Sequence, residues 1–370
     1  MKLFQQLLVA PAALGLLAPL SANASEIYLD AISNYSEDNL EIDANSFKQK
    51  SSNNILLSGG EGLVESSDSV ETSDITGGFS EKTTASFGVD FLVGGVDGAT
   101  SEAITFDYQM GIGLETSFTG EDSLSATIDI GNAASALGGA DGLNFDSTSD
   151  VLTLDGLTYT FPVGGATVMV GDNTDISAVY TGACAYSSFT DYMGNCGTGS
   201  TVGVGGNGAT AAASYAFDSG FSLAGGVSST PTSILTEEGS DTFGIEAAYS
   251  ADSYGLAVAY SDAESTTGWG INGMYAFDFA TLSAGWESVD TGTTADGFFV
   301  GLSFSEVGPG SLDIGMGTTG NFTSTDTEYY IYEASYAYPV NDGMTITPGI
   351  YIKEGSTDQT GVAVKTSFSF

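Results

Sequence analysis

From Thr83 to the last residue, apolar and polar positions alternate with a period of two, the mark of an extended strand whose faces meet different surroundings. Ile104, Phe106, Tyr108, Met110, Ile112 and Leu114 are apolar at every second position, with Asp107, Gln109, Gly111, Gly113 and Glu115 between them. The pattern recurs in Leu124 to Ile130, Tyr254 to Tyr260, Phe298 to Phe304 and Met344 to Ile352. It predicts sixteen strands, at 83-94, 103-118, 122-132, 151-162, 166-171, 208-217, 221-228, 241-250, 254-261, 268-277, 280-288, 297-304, 311-319, 328-338, 344-352 and 360-370. An even number of two-faced strands with no hydrophobic run of about twenty residues points to an all-β fold: a 16-stranded antiparallel transmembrane β-barrel over residues 81-370.

The links between these segments alternate in length. Short ones fall near Gly120, Gly164, Ser219, Asp252, Asp278, Gly308 and Asp342, and with the N-terminus periplasmic all of them reach the periplasmic rim. Aromatic residues bracket the same links: Phe161, Phe217 with Phe221, Tyr249 with Tyr254, Phe277 with Phe279, Phe304, and Tyr336 with Tyr338. Trp269, Trp286, Phe243, Tyr260 and Phe298 fall at the opposite strand ends. Two interfacial girdles account for this clustering better than the general liking of strands for aromatic residues.

The chain ahead of the alternating region has another character. Lys2, the apolar stretch Leu7 to Leu20 and Ala22-Asn23-Ala24 read as a signal peptide over residues 1-24. Pro11, Gly15 and Pro19 interrupt the stretch, and it is short for a retained helical anchor. Residues 25-80, polar and rich in Ser and acids, read as a periplasmic segment or a partly disordered tether.

Composition sharpens the picture in one respect. There are 47 acidic residues against six lysines, no arginine and no histidine, for a formal charge of -41. Nucleic acid is excluded as a partner, because phosphate contacts need a basic surface. Without histidine, most zinc and general-base chemistry is excluded too, and no EF-hand, nucleophile elbow or phosphate-binding motif appears. The expectation is a protein that is not an enzyme and has no cofactor or metal site.

Candidate functional residues follow from length and parity. The longest link, about Asp172 to Asn207, follows the fifth strand, and it is there that general trimeric porins, which the layout resembles, fold a loop into the lumen. Asp172, Asp175 and Asp191 would then stand at a constriction, where charge selects ions by sign; the competing reading is an outward loop with solvated acids. Cys184 and Cys196 lie inside the link, and an exported compartment predicts a disulfide that restrains it by about 3 kcal/mol. Parity turns Asp90, Asp107, Glu115, Asp129, Glu246, Glu287 and Asp313 into the lumen together with the base Lys365, so the lumen should attract cations. These acids could instead serve mainly solubility in brine. The last strand ends on Phe370, a terminal aromatic that resembles the signal read by the barrel-assembly machinery.

The opening MKLFQQLLVAPAALGLLAPLSANASEIYLDAISNYS, together with GGFSEKTTASFGVDFLVGGVDG, LETSFTGEDSL and LTYTFPVGGATVMVGD, resembles the marine cyanobacterial outer-membrane porins of the carbohydrate-selective family, often labelled iron-uptake porins. The resemblance implies an outer-membrane location in contact with lipid, a homotrimer, and carbohydrate or iron as solute. It also implies that the motifs at 157-172 precede the constriction loop. Members usually carry an S-layer-homology domain between signal and barrel; no such pattern is evident in residues 25-80, nor are the family's basic constriction residues present.

The function expected is a water-filled channel for passive diffusion of ions and small hydrophilic solutes, preferring cations. A plugged structural or adhesive barrel is the alternative, and a soluble secreted β-protein a third. The many Gly, Ala, Ser and Thr at inward positions leave space and favour the channel.

Overall fold

The computed structural model describes residues 83-99, 102-132, 148-199, 208-236 and 239-370. The predicted signal peptide and the segment 25-80 lie outside the described residues. Sixteen strands run in chain order: β1 Thr83–Asp97, β2 Thr105–Thr116, β3 Ser123–Gly131, β4 Thr153–Val163, β5 Ala166–Thr174, β6 Gly208–Ala216, β7 Phe221–Ser229 and β8 Asp241–Ser250. They continue with β9 Tyr254–Ala263, β10 Thr266–Ala276, β11 Thr281–Asp290, β12 Thr294–Val307, β13 Gly310–Thr318, β14 Tyr330–Asn341, β15 Met344–Lys353 and β16 Gln359–Ser369. Each pairs antiparallel with its chain neighbours, and β1 pairs with β16, so the sheet is a closed transmembrane barrel without a free edge.

Phe370 finishes the seam between first and last strands. Its N–H donates to the Phe87 carbonyl (3.0 Å), the Phe87 N–H donates to the Phe370 carbonyl (2.8 Å), and the two rings stack with centroids 5.7 Å apart.

Parity sorts the side chains between two solvents. In β8, Phe243 and Ile245 are exposed outward while Thr242, Gly244, Glu246 and Ala248 are buried inward. Leu223, Leu256, Ile271, Val300, Ile314 and Ile350 extend the exposed apolar band around the wall, an exterior suited to hydrocarbon. Aromatic pairs edge the band at both rims. Phe221 packs on Tyr249 and Phe277 on Phe279 near one rim, and Tyr260 packs on Trp269 near the other.

The two rims differ as their connections require. One carries only tight links, among them 164-165 and 308-309, where Gly164 and Gly308 take φ of +61° and +65°, a conformation that costs other residues more. The other carries the long links 132-152, 175-207, 230-240 and 319-329. The pattern is not uniform, because β9–β10 and β11–β12 also turn tightly at the long-link rim.

Strand lengths differ from the sequence expectation at one consequential place. β5 runs to Thr174, past a bulge between Gly171 and Thr174, where the alternation had ended it at 171. Glycine and polar residues in 171-174 hide the continuation, which ladder bonds to β4 and β6 supply.

In the link 117-122 Asp122 caps the turn. Its carboxylate accepts from the Thr119 N–H (2.8 Å), the Phe118 N–H (3.0 Å) and the Tyr159 hydroxyl (2.7 Å). These bonds, the Thr119 N–H foremost, hold it well below the usual carboxylate range. A depressed folded pKa means stability that is full above the ordinary Asp value and lost as pH falls below it. Asp122→Asn should therefore reduce the acid dependence of barrel stability below about pH 4, read as the urea midpoint of vesicle-inserted protein from pH 6 to pH 2. At mid-band, Ile245→Arg should cost about 2–4 kcal/mol in the same assay, the depth-dependent penalty for a charge facing lipid.

Candidate functional site

The described part of the link between β5 and β6, residues 175-199, folds inward and lies against the inner wall. It starts at Asp175, whose carboxylate accepts from the Ser177 N–H (2.6 Å) and hydroxyl and caps a short 3-10 turn, Ile176–Val179. Ile176 is buried with Met169 and Ala212 of β5 and β6. Past Gly182 the chain crosses the wall of β8 to β14 and enters a second 3-10 segment, Asp191–Gly197, which packs on β11, β12 and β13. There Asn195 and Cys196 take φ of +49° and +55°, a sharp reversal in the left-handed region. The Cys184–Cys196 disulfide, with Cα atoms 5.7 Å apart, closes the loop across that reversal.

Carboxylates on the wall hold this loop by its backbone. Glu333 of β14 is almost wholly buried and makes four bonds. Its Oε1 accepts from the Phe189 N–H (2.8 Å) and the Tyr186 hydroxyl (3.0 Å), and its Oε2 from the Thr190 N–H (2.8 Å) and hydroxyl (2.6 Å). Glu246 of β8 accepts from the Thr181 N–H at 2.6 Å and the Gly182 N–H at 3.3 Å. Asn272 of β10 accepts from the Ala183 N–H (2.9 Å) and donates to the Thr198 hydroxyl (3.1 Å). Asp313 of β13 accepts from the Ser303 hydroxyl and the Ser187 N–H. An irregular loop has no ladder to satisfy its N–H groups, so buried carboxylates serve instead, and these charged acceptors form the stronger class of hydrogen bond.

Apolar contact completes the attachment. Tyr186, Phe189, Met193 and Cys196 are buried against Leu92, Phe299, Ile331 and Tyr351 of the inner wall. Small wall residues make the approach possible: a Cβ at Gly349 would overlap the Phe189 ring, and one at Gly285 the Cys196 carbonyl. Burial, and then the neighbouring Glu333 carboxylate, push the Tyr186 phenol well above its usual range, so it stays protonated and donates. The Tyr180 phenol is raised in the same way, by burial and then by Glu246 and Asp175.

The acids expected from sequence fall into separate groups. Asp172 stands on β5 with the outward parity of Val168 and Val170, exposed, so the strand extension carries it away from the lumen. Asp175 caps the start of the loop and Asp191 is exposed on its second 3-10 segment. Glu246, Glu287 and Asp313 lie on the inner wall beneath the loop or beside it. Glu115 and Asp129 stand on the inner face of β2 and β3, which the described loop residues leave largely uncovered, and Asp107 is buried on β2 level with Leu92; Asp90 and Asp155 of β1 and β4 join them. A cavity of about 300 Å³ on this side is lined by Ser125, Thr127, Asp155, Thr158 and Asp175. Lys365 faces inward on β16, level with Leu92 and Thr347.

Two residues escaped the sequence reading. Glu333 sits between Tyr332 and Ala334, and the alternation there was legible. Lys353 ends β15 on the inward parity and reaches the Tyr192 hydroxyl, its ammonium 4.6 Å from the ring centroid. The role of each depends on a loop distant in sequence.

No protein-family model matches the chain, and no curated protein does. Among solved structures it is similar to OprB of Pseudomonas putida, with a TM-score of 0.63 at 12% identity over 78% of this chain and 94% of that one. It is also similar to a triple mutant of the Rhodopseudomonas blastica porin, with a TM-score of 0.56 at 16% identity over 78% of this chain and all of that one. At such identities the likeness is one of fold.

Glu333→Ala strands two loop N–H groups and two hydroxyls, a loss on the order of 3 kcal/mol concentrated on the loop. The folded variant should be cut by chymotrypsin after Tyr186, Phe189 or Tyr192 at least tenfold faster than the parent, while its barrel keeps the urea midpoint. Equal cleavage would remove Glu333 from the anchor.

Proposed function

We propose that this chain is an outer-membrane porin through which ions and small hydrophilic solutes diffuse passively, with a preference for cations. The observation that carries the reading is the unequal use of inner-wall carboxylates. Glu246, Glu333 and Asp313 are occupied by loop donors, whereas Asp90, Glu115, Asp129 and Asp155 stand on the inner face of β1 to β4, which the described loop meets at Leu92 and Val96 and otherwise leaves largely open. Among the described residues the only lysines are Lys353, held at Tyr192, and Lys365. An acidic arc beside the part of the lumen that the described loop leaves open concentrates cations and repels anions, and the effect weakens as salt screens it.

A constriction built this way differs from one that sets acids against a row of arginines. No arginine exists here to make a transverse field, so discrimination rests on net sign and on the width the loop leaves. Asp175 adds negative charge where the loop starts and Asp191 where its second 3-10 segment begins. Metal ions and other cationic solutes suit such a lumen better than neutral sugars do, which weighs against carbohydrate as the main cargo. Assembly as a homotrimer, with the tight-link rim periplasmic, completes the proposal and rests on the resemblance to cyanobacterial porins.

Single channels in planar bilayers should show a reversal potential of cation-selective sign in a tenfold salt gradient. Asp129→Asn combined with Asp155→Asn should move it toward zero with little change in conductance at high salt. Absence of any conducting channel, or anion preference in the parent protein, would overturn the reading.

A further inference from the structure

Glu287 of β11 is used by neither the loop nor the acidic arc. It is 2% exposed, and its Oε1 accepts from Asn321 Nδ2 at 2.8 Å. Its Oε2 is shielded from solvent and has no hydrogen-bond partner. A buried carboxylate oxygen left bare is costly, and such an atom marks a place for a ligand. Glu287 lines a cavity of about 260 Å³ with Asp191, Tyr192 and Gly194 of the inward loop, Thr318 at the end of β13, and Gly320 and Asn321 at the start of the link 319-329.

Three of the neighbouring oxygen atoms gather beside the cavity, over the bare Cα of Gly297. Gly297 of β12 is the cross-strand partner of Glu287. A Cβ built there would overlap Asn321 Oδ1 and lie 3.0 Å from Thr318 Oγ1 and 3.3 Å from the Gly320 carbonyl oxygen. Because Asn321 turns its amide nitrogen to Glu287, its oxygen is directed to the space above Gly297. Lys353 is held over Tyr192 and does not line the cavity.

We propose that this cavity is a binding site for a hard divalent cation of calcium's size, with Glu287, Asn321, Thr318 and the Gly320 carbonyl as ligands and Asp191 closing it from the constriction loop. Among the described residues no three carboxylate, imidazole or thiolate groups gather on one metal, so neutral oxygens supply most of the shell. That donor set disfavours transition metals, which prefer nitrogen and sulfur. Its ligands come from three separate segments, which suits calcium's six to eight flexible oxygens better than the strict octahedron of magnesium. A bound ion would neutralise Glu287 and tie the constriction loop to the long-link rim.

Equilibrium dialysis of the folded, detergent-solubilised full chain against radioactive calcium tests this without any current, so its failure leaves the channel reading intact. The parent should bind one calcium per chain saturably, with Kd on the order of 10⁻⁴–10⁻³ M as in extracellular sites, above the diffuse background of its surface acids. Glu287→Gln should weaken that site at least tenfold. Glu328→Gln, which removes an exposed acid from the same link, should leave it unchanged. Gly297→Ala keeps every charge but pushes the Asn321 oxygen aside, and should weaken binding likewise; it decides the matter if Glu287→Gln does not fold. No saturable binding in the parent, or parent-like binding in the folded variants, would overturn the proposal.

Discussion

Hydrocarbon cannot hydrogen-bond, and the rest of this structure depends on that constraint. A strand in lipid must pair on both sides, so the sheet closes β1 on β16, and the chain end is drawn into the seam where Phe370 pairs with Phe87. Closure removes every edge and leaves each strand with an outer face toward lipid and an inner face toward the lumen. The low charged fraction, the alternation and the aromatic pairs at the rims are consequences of that single requirement.

The inner wall divides its carboxylates between two kinds of work. Under the loop they act as acceptors for backbone N–H groups that have no ladder to join, and their charge is spent on short hydrogen bonds. Along β2 to β4 they stand on a face that the described loop residues leave largely open. Net charge alone would treat the two sets as equivalent, although only the first is tied to the backbone of the described loop. An irregular loop could not sit against the wall without the first set, because its own N–H groups would be stranded.

The loop is held by several independent means: four wall residues bonding its backbone, an aromatic and aliphatic cluster, glycines that make room for rings, and a disulfide across its sharpest bend. Closing the disulfide restricts the detached loop, while the wall bonds fix where the loop rests. The width of the lumen therefore depends on contacts between residues far apart in the chain, such as Tyr186 with Glu333, separated by 147 positions.

The sequence by itself determined the strands, their even number, their pairing order, the two-faced wall and the inward parity of Asp107, Asp129, Glu246 and Lys365. It could do so because alternation and turn chemistry are local, and lipid on one side enforces them without exception. What lay beyond it was non-local. Asp172 read as a loop acid because glycine and polar residues mask the end of β5, and only the ladders to β4 and β6 carry that strand on and turn the side chain outward. Nothing local sets Glu333 or Lys353 apart from other strand residues; their partners belong to a loop that folds against them from far along the chain. Whether a wall carboxylate binds a backbone or faces solute is decided by where a distant segment folds, and periodicity carries no record of that contact.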